Sequence, residues 1–236
     1  MLNWLRRRLH TEPFDEKADP GRLSAIGEAV AGRLRSTRGV EERGGDKAEL
    51  FLMPGFLAPA ECNRLVELIE GNLRPSPIYN DKTSARTSQT HFFRAEEPEV
   101  VALQTKLDAL LGLERRQAET LQGQRYDVGQ EFRHHCDFFR AHKDYWQKER
   151  LRGGQRCWSA MVYLNRVEAG GKTDFPALDL EVEPEPGLLI AWNNMDRNGR
   201  PNDATRHAGL PVEAGRKYVV TQWYRMDEWS LRAREA

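Results

Sequence analysis

His135 and Asp137 stand two apart at the end of the stretch YDVGQEFRHHCD, Tyr126 to Asp137. In an extended segment, side chains two apart share a face, so this imidazole and this carboxylate can aim at one point. A further histidine, His207, follows seventy residues beyond Asp137. Two imidazole nitrogens and one carboxylate oxygen form a facial donor set that leaves neighbouring coordination positions open, the arrangement most characteristic of non-haem Fe(II). The adjacent His134 and Cys136 should point to the opposite face and so fall outside the set. His91 and His142 read as polar surface or substrate-side residues.

Lys217 lies ten residues after His207. The spacing predicts a hairpin that turns at Glu213-Ala214-Gly215 and returns through YVVTQW, a run of strong strand composition. A compact ammonium beside a metal with open positions suits an anionic co-substrate that chelates the metal at one end and meets the lysine at the other. A zinc hydrolase is a poorer reading, because the chain has no HExxH and Lys217 would have no purpose there.

The elements that must carry these residues are mostly strands. Leu50 to Phe56 reads as a strand, and Pro59-Ala60-Glu61 opens a helix with apolar positions Leu65, Leu68 and Ile69. Val100, Leu103, Leu107, Leu110 and Leu111 mark a second amphipathic helix after Pro98. Beyond it come strand candidates at 122–126, before His135, and at 158–164, 188–192 and 217–224, with glycine and proline between them. Helices early and short strands late predict an α+β, mainly β fold, an antiparallel sandwich flanked by N-terminal helices. The mixed aromatic and charged segment 138–152 is expected to be a loop over the site, a lid or a substrate edge.

The chain has 236 residues, with 36 basic and 36 acidic side chains and no formal net charge. That length predicts one domain with a short appendage, divided as a helical extension and linker at 1–49 and a main domain at 50–236. Leu2, Trp4, Leu5 and Leu9 suggest an amphipathic turn, and Leu23, Ile26, Val30 and Leu34 a helix, both packed outside the core; 36–47 reads as a polar linker. Zero net charge gives no electrostatic reason to expect nucleic acid. No apolar run has the length of a membrane span, and MLNWLRRRLH lacks the apolar core of a signal peptide. Cys62, Cys136 and Cys157 show neither disulfide nor zinc spacing and suit a reducing compartment. The expectation is a cytoplasmic protein without integral membrane association.

These motifs together resemble the prolyl 4-hydroxylase-type, 2-oxoglutarate- and Fe(II)-dependent dioxygenases. The resemblance spans residues 50 to 227 and rests on FLAPAEC, RTS at 86–88, Tyr126-x-x-Gly129-x-x-Phe132-x-x-His135-x-Asp137, GGKTDFP, PGLLIAWNN, His207-Ala208-Gly209-x-Pro211-Val212 and Lys217 leading to TQWYR. It implies a double-stranded β-helix (jelly-roll) core. It further implies that His135, Asp137 and His207 hold Fe(II), and that Lys217 binds the distal carboxylate of 2-oxoglutarate. Tyr126 and Thr173 would help place that co-substrate, and O2 and ascorbate complete the implied chemistry. Arg86 and Ser88 would lie at the mouth of the site, with Trp223 and Arg225 on the substrate side. Arg225 departs from the family pattern, since collagen-type enzymes commonly carry histidine there. The implied reaction is hydroxylation of a protein or peptide, at proline, giving succinate and CO2. Two other readings stay open: a same-fold oxygenase of a free amino acid or small metabolite, and a non-catalytic metal-binding interaction domain.

Overall fold

Each of the three long helices starts on a proline: α1 (Pro20–Ser36), α2 (Pro59–Gly71) and α3 (Pro98–Leu111). Proline fits the first helical position because its fixed φ is already helical and its missing N–H would have had no partner. The Asp19 carboxylate accepts from the Arg22 backbone N–H at 3.0 Å to cap α1, and Glu61 accepts from the Ala58 N–H at 3.0 Å to cap α2. The computed structural model describes residues 19–76 and 86–230. The amphipathic turn expected around Leu2, Trp4, Leu5 and Leu9 lies outside them.

The strands, in chain order, are β1 (Glu41–Glu42), β2 (Leu50–Met53), β3 (Arg74–Pro75), β4 (Gln89–Phe92), β5 (Gln122–Tyr126), β6 (Phe132–His135), β7 (Arg156–Tyr163), β8 (Ala169–Gly170), β9 (Thr173–Phe175), β10 (Leu180–Val182), β11 (Leu189–Asn193), β12 (His207–Gly209), β13 (Val212–Ala214) and β14 (Lys217–Arg225). A short helix, α4 (Trp146–Leu151), precedes β7. The major sheet runs β1-β2-β11-β7-β14-β5-β4-β3, the minor sheet β10-β9-β12-β6, and β13 pairs with β8. All pairings are antiparallel. This is the double-stranded β-helix that the resemblance implies.

Two apolar layers follow from the alternation of the central strands. Trp158, Ala160 and Val162 of β7, Leu189 and Ala191 of β11, and Tyr218, Val220 and Tyr224 of β14 pack toward the helices. Their neighbours Met161, Tyr163, Ile190, Trp192 and Val219 pack toward the minor sheet. Because both faces are covered, these strands are apolar along most of their length and lack the hydrophobic–polar alternation of a half-exposed sheet. Gly123 on β5 has to be glycine: a Cβ there would sit 2.4 Å from Cγ1 of Ile69 on α2.

Three sequence expectations change. Leu23, Val30, Ala31 and Leu34 of α1 share one buried cluster with Leu103 and Trp158, and β1 extends the major sheet. Helix α1 therefore packs into the main core, while residues 41–43 and 45–47 are exposed. The segment 138–152 is not a lid: Phe138, Phe139 and Trp146 are buried in that same cluster, where their apolar area outweighs the exposed charges between them. His91 is likewise a core residue, bonded through Nδ1 to the Asn72 carbonyl and packed edge-on against Phe93.

Candidate active site

His207 on β12 is the direct cross-strand partner of His135 on β6, which is how residues far apart in sequence meet. Asp137 stands two residues past the end of β6. One donor atom from each of His135, Asp137 and His207 falls in a group within 4.8 Å, the only such group of three or more among the described residues. His134 points away as expected and pairs with Asp174 at 2.7 Å. Cys136 also lies outside the group, with its Sγ 3.8 Å from Asp203, and burial pushes its thiol up to about 12.

Backbone carbonyls fix the tautomer of both imidazoles. Nδ1 of His135 lies 2.9 Å from the Arg133 carbonyl, and Nδ1 of His207 lies 3.0 Å from the Thr205 carbonyl. A carbonyl can only accept, so each Nδ1 carries the hydrogen and each Nε2 keeps its lone pair for a metal. Burial holds His207 down to about 4, which leaves it neutral at neutral pH. Burial works against the charge of Asp137, but the positive field around it, Arg156 included, outweighs burial and holds the carboxyl well below the usual range. The Ser159 hydroxyl donates to Oδ2 of Asp137 at 2.6 Å, and Asn194 Nδ2 donates to Ser159 Oγ at 2.9 Å. Two imidazole Nε2 atoms and one held carboxylate are the donor set that Fe(II) takes.

Lys217 begins β14 in the major sheet and lines the same cavity as the three ligand candidates. The expected hairpin does not form: β14 pairs with β5 and β7, whereas β12 pairs with β6 and β9. The lysine reaches the cavity across the sandwich, from the sheet facing His207. Its Nζ donates to the Gly171 carbonyl at 2.6 Å and sits over the rings of Tyr126 and Tyr163. With no carboxylate beside it, burial lowers Lys217 to about 7. Gly209 keeps the space beside this ammonium open, since a Cβ there would lie 3.6 Å from Nζ.

Tyr126 is the cross-strand neighbour of Lys217, and Thr173 accepts from the Tyr163 hydroxyl at 2.5 Å; both line the cavity. Arg86 lines it too, with its guanidinium over the Phe132 ring at 4.9 Å. Ser88 does not reach the cavity; it is buried and accepts from Arg86 Nε at 3.0 Å, so it positions the arginine. Trp223 lines the cavity beneath Arg156, whose guanidinium lies 4.3 Å from the ring. Arg225 is not on the substrate side. The register shifts between Tyr224 and Arg225, and the side chain turns into a buried ion cluster with Glu119 and Glu149.

Sequence reasoning missed Ser159, Tyr163, Gln124, Thr221 and Trp192. Their signal is period-two placement: on β14, Thr221 falls in phase with Lys217 and Trp223, and Gln124 falls in phase with Tyr126 on β5. A polar residue inside an otherwise apolar central strand marks the face that meets the site.

A β-helix sandwich with this donor set at one end of a cavity, and a buried lysine lining it, defines the class of 2-oxoglutarate-dependent dioxygenases, with Fe(II) as metal and 2-oxoglutarate and O2 as co-substrates. The sequence pattern of the 2OG-Fe(II) oxygenase superfamily matches residues 121–225. Prolyl 4-hydroxylase subunit alpha-1 of Mus musculus is 31% identical over 185 residues, which is 75% of this chain and 34% of that protein's length. Prolyl 4-hydroxylase 2 of Arabidopsis thaliana is 28% identical over 211 residues, covering 78% of this chain and 69% of that one. The crystal structure of the viral collagen prolyl hydroxylase of Paramecium Bursaria Chlorella virus-1 with 2OG superposes with a TM-score of 0.61 at 31% identity, over 78% of this chain and 98% of that chain. The chain belongs to the 2OG-Fe(II) oxygenase superfamily, among its prolyl 4-hydroxylase-like members. Among the described residues, no helix is long and apolar enough to cross a membrane.

Proposed function

We propose that the chain hydroxylates a proline residue in a protein or peptide, consuming 2-oxoglutarate and O2 and releasing succinate and CO2. The observation that carries this reading is one cavity lined both by the His135, Asp137 and His207 donors and by the buried Lys217. The three donors would hold Fe(II) through His135 Nε2, His207 Nε2 and an Asp137 oxygen. Fe(II) with 2-oxoglutarate and O2 supplies the oxidising power that replaces a C–H bond by C–OH.

The chain's own residues do the positioning. Lys217 would meet the distal carboxylate of 2-oxoglutarate, trading its lone carbonyl contact for a charged partner. Tyr126 and Thr173 shape that end, and Phe175 and Trp192 pack on His207 and exclude water. Arg86 and Trp223 would face the substrate. Ascorbate would restore the metal after turnover without substrate. Support for proline comes from relatives named prolyl 4-hydroxylases.

Anaerobic titration with Fe(II) and then 2-oxoglutarate tests the site. A visible charge-transfer band should appear only with both present, vanish in His207→Ala, and need more 2-oxoglutarate in Lys217→Met. A blank spectrum with tight Zn(II) binding would overturn the oxygenase reading. Mass-shift profiling of peptides after aerobic turnover then finds the target by its gain of one oxygen.

A further inference from the structure

Gln124 is buried on β5 and lines the cavity. Its Oε1 accepts from the Thr221 hydroxyl at 3.1 Å, which orients the carboxamide. Its Nε2 is buried without a hydrogen-bond partner, and so is Nε1 of Trp223, which lines the same cavity from β14. On β4, the facing residue Thr90 bonds through its hydroxyl to Ser76 and makes no bond to the Gln124 donor. Buried donors are normally satisfied, so an unsatisfied N–H facing a binding cavity calls for an acceptor on the ligand.

That demand bears on the substrate. A proline residue within a peptide has no backbone N–H, and its backbone offers only carbonyl acceptors. A cavity that reads peptidyl proline must therefore supply donors, as Gln124 and Trp223 do. A free amino acid would bring an ammonium needing acceptors, yet among the described residues Asp137 is the only carboxylate lining the cavity, and it belongs to the metal donor set. We propose that Gln124, oriented by Thr221, reads the substrate by donating its Nε2–H to a backbone carbonyl beside the target proline. The assignment rests on the peptide reading above and makes it specific.

The test uses synthetic proline-rich peptides, acetylated and amidated at their ends, with free proline as the competing probe. Gln124→Met keeps the length of the side chain and loses the donor. It should raise KM for the blocked peptide by about tenfold, the change expected for one hydrogen bond, and by more than it lowers kcat. The Fe(II)–2-oxoglutarate charge-transfer band should persist, which a general structural defect would not allow. If Gln124→Met does not fold, Thr221→Val frees the carboxamide to turn and should raise the same KM. An unchanged peptide KM in a folded variant overturns the role of Gln124 and leaves the peptide reading standing. Hydroxylation of free proline but of no blocked peptide overturns the peptide reading, and this assignment with it.

Discussion

The Ser159 hydroxyl lies 2.6 Å from Oδ2 of Asp137 and is itself held by Asn194 at 2.9 Å, so the carboxylate in the donor set is fixed from behind by the central strand β7. Such contacts orient a ligand before the metal arrives. Ser159→Ala should lower metal affinity by about 10- to 100-fold. Titration with Co(II) in place of Fe(II), read from its d–d absorption, measures this directly. Unchanged affinity would mean that His135 and His207 alone position Asp137.

Lys217 gives the folded chain a pH signature. In the folded state it loses its proton near pH 7, whereas an unfolded lysine keeps its proton to about pH 10.4. Between those values the unfolded state binds more protons, so the lysine's contribution to stability grows as pH rises through that window. Lys217→Met should flatten the Tm–pH profile between about pH 7 and pH 10, and the variant should be the more stable protein below pH 7. With the charged ammonium meeting 2-oxoglutarate as proposed above, binding of that acid should take up a proton above pH 7 and weaken as pH rises further. Calorimetry in buffers of different ionisation enthalpy reads that proton uptake.

Gly209 lines the cavity on the same strand as His207 and faces the Lys217 ammonium. Its φ is not positive, so alanine is allowed there without backbone strain, but the new methyl would stand 3.6 Å from Lys217 Nζ and 3.9 Å from Phe132 Cβ. Gly209→Ala should raise KM for 2-oxoglutarate by about tenfold or more, the scale of one misplaced methylene in a pocket. Co(II) affinity should stay at the wild-type value. A parallel loss of metal binding would show that the strand β12 itself had moved.

Arg225 is a structural cation. It bridges Glu119 and Glu149, with a further bond to the Gly154 carbonyl at 2.7 Å, and is 2% exposed. Arg225→Met removes the bridge between two buried carboxylates, which Arg156 and Arg152 still contact singly. Breaking such a buried pair costs about 3–5 kcal/mol. Chemical denaturation should show a loss of that order, with the peptide KM of the surviving folded enzyme unchanged. A rise in KM without destabilisation would return Arg225 to the substrate side.

Local covalent geometry made part of this protein legible in its sequence. The two-residue offset of His135 and Asp137 places them on one face, because extended backbone alternates. The prolines that start α2 and α3, and the strands at 122–126, 158–164, 188–192 and 217–224, follow from rules acting over a few residues. Long-range pairing decided the rest. His207 meets His135 because β12 and β6 are neighbours in the minor sheet, and Lys217 lines their cavity from the opposite sheet instead of along a hairpin. A single register shift turned Arg225 away from the face that Trp223 shares, an event invisible in the string TQWYR. The burial of Phe138, Phe139 and Trp146, and of α1, likewise depended on which apolar surfaces were left to cover. Many apolar strands could pair in many orders at similar local free energy, so only simultaneous burial of both faces of the major sheet selects the partners, and with them the donors that line the cavity.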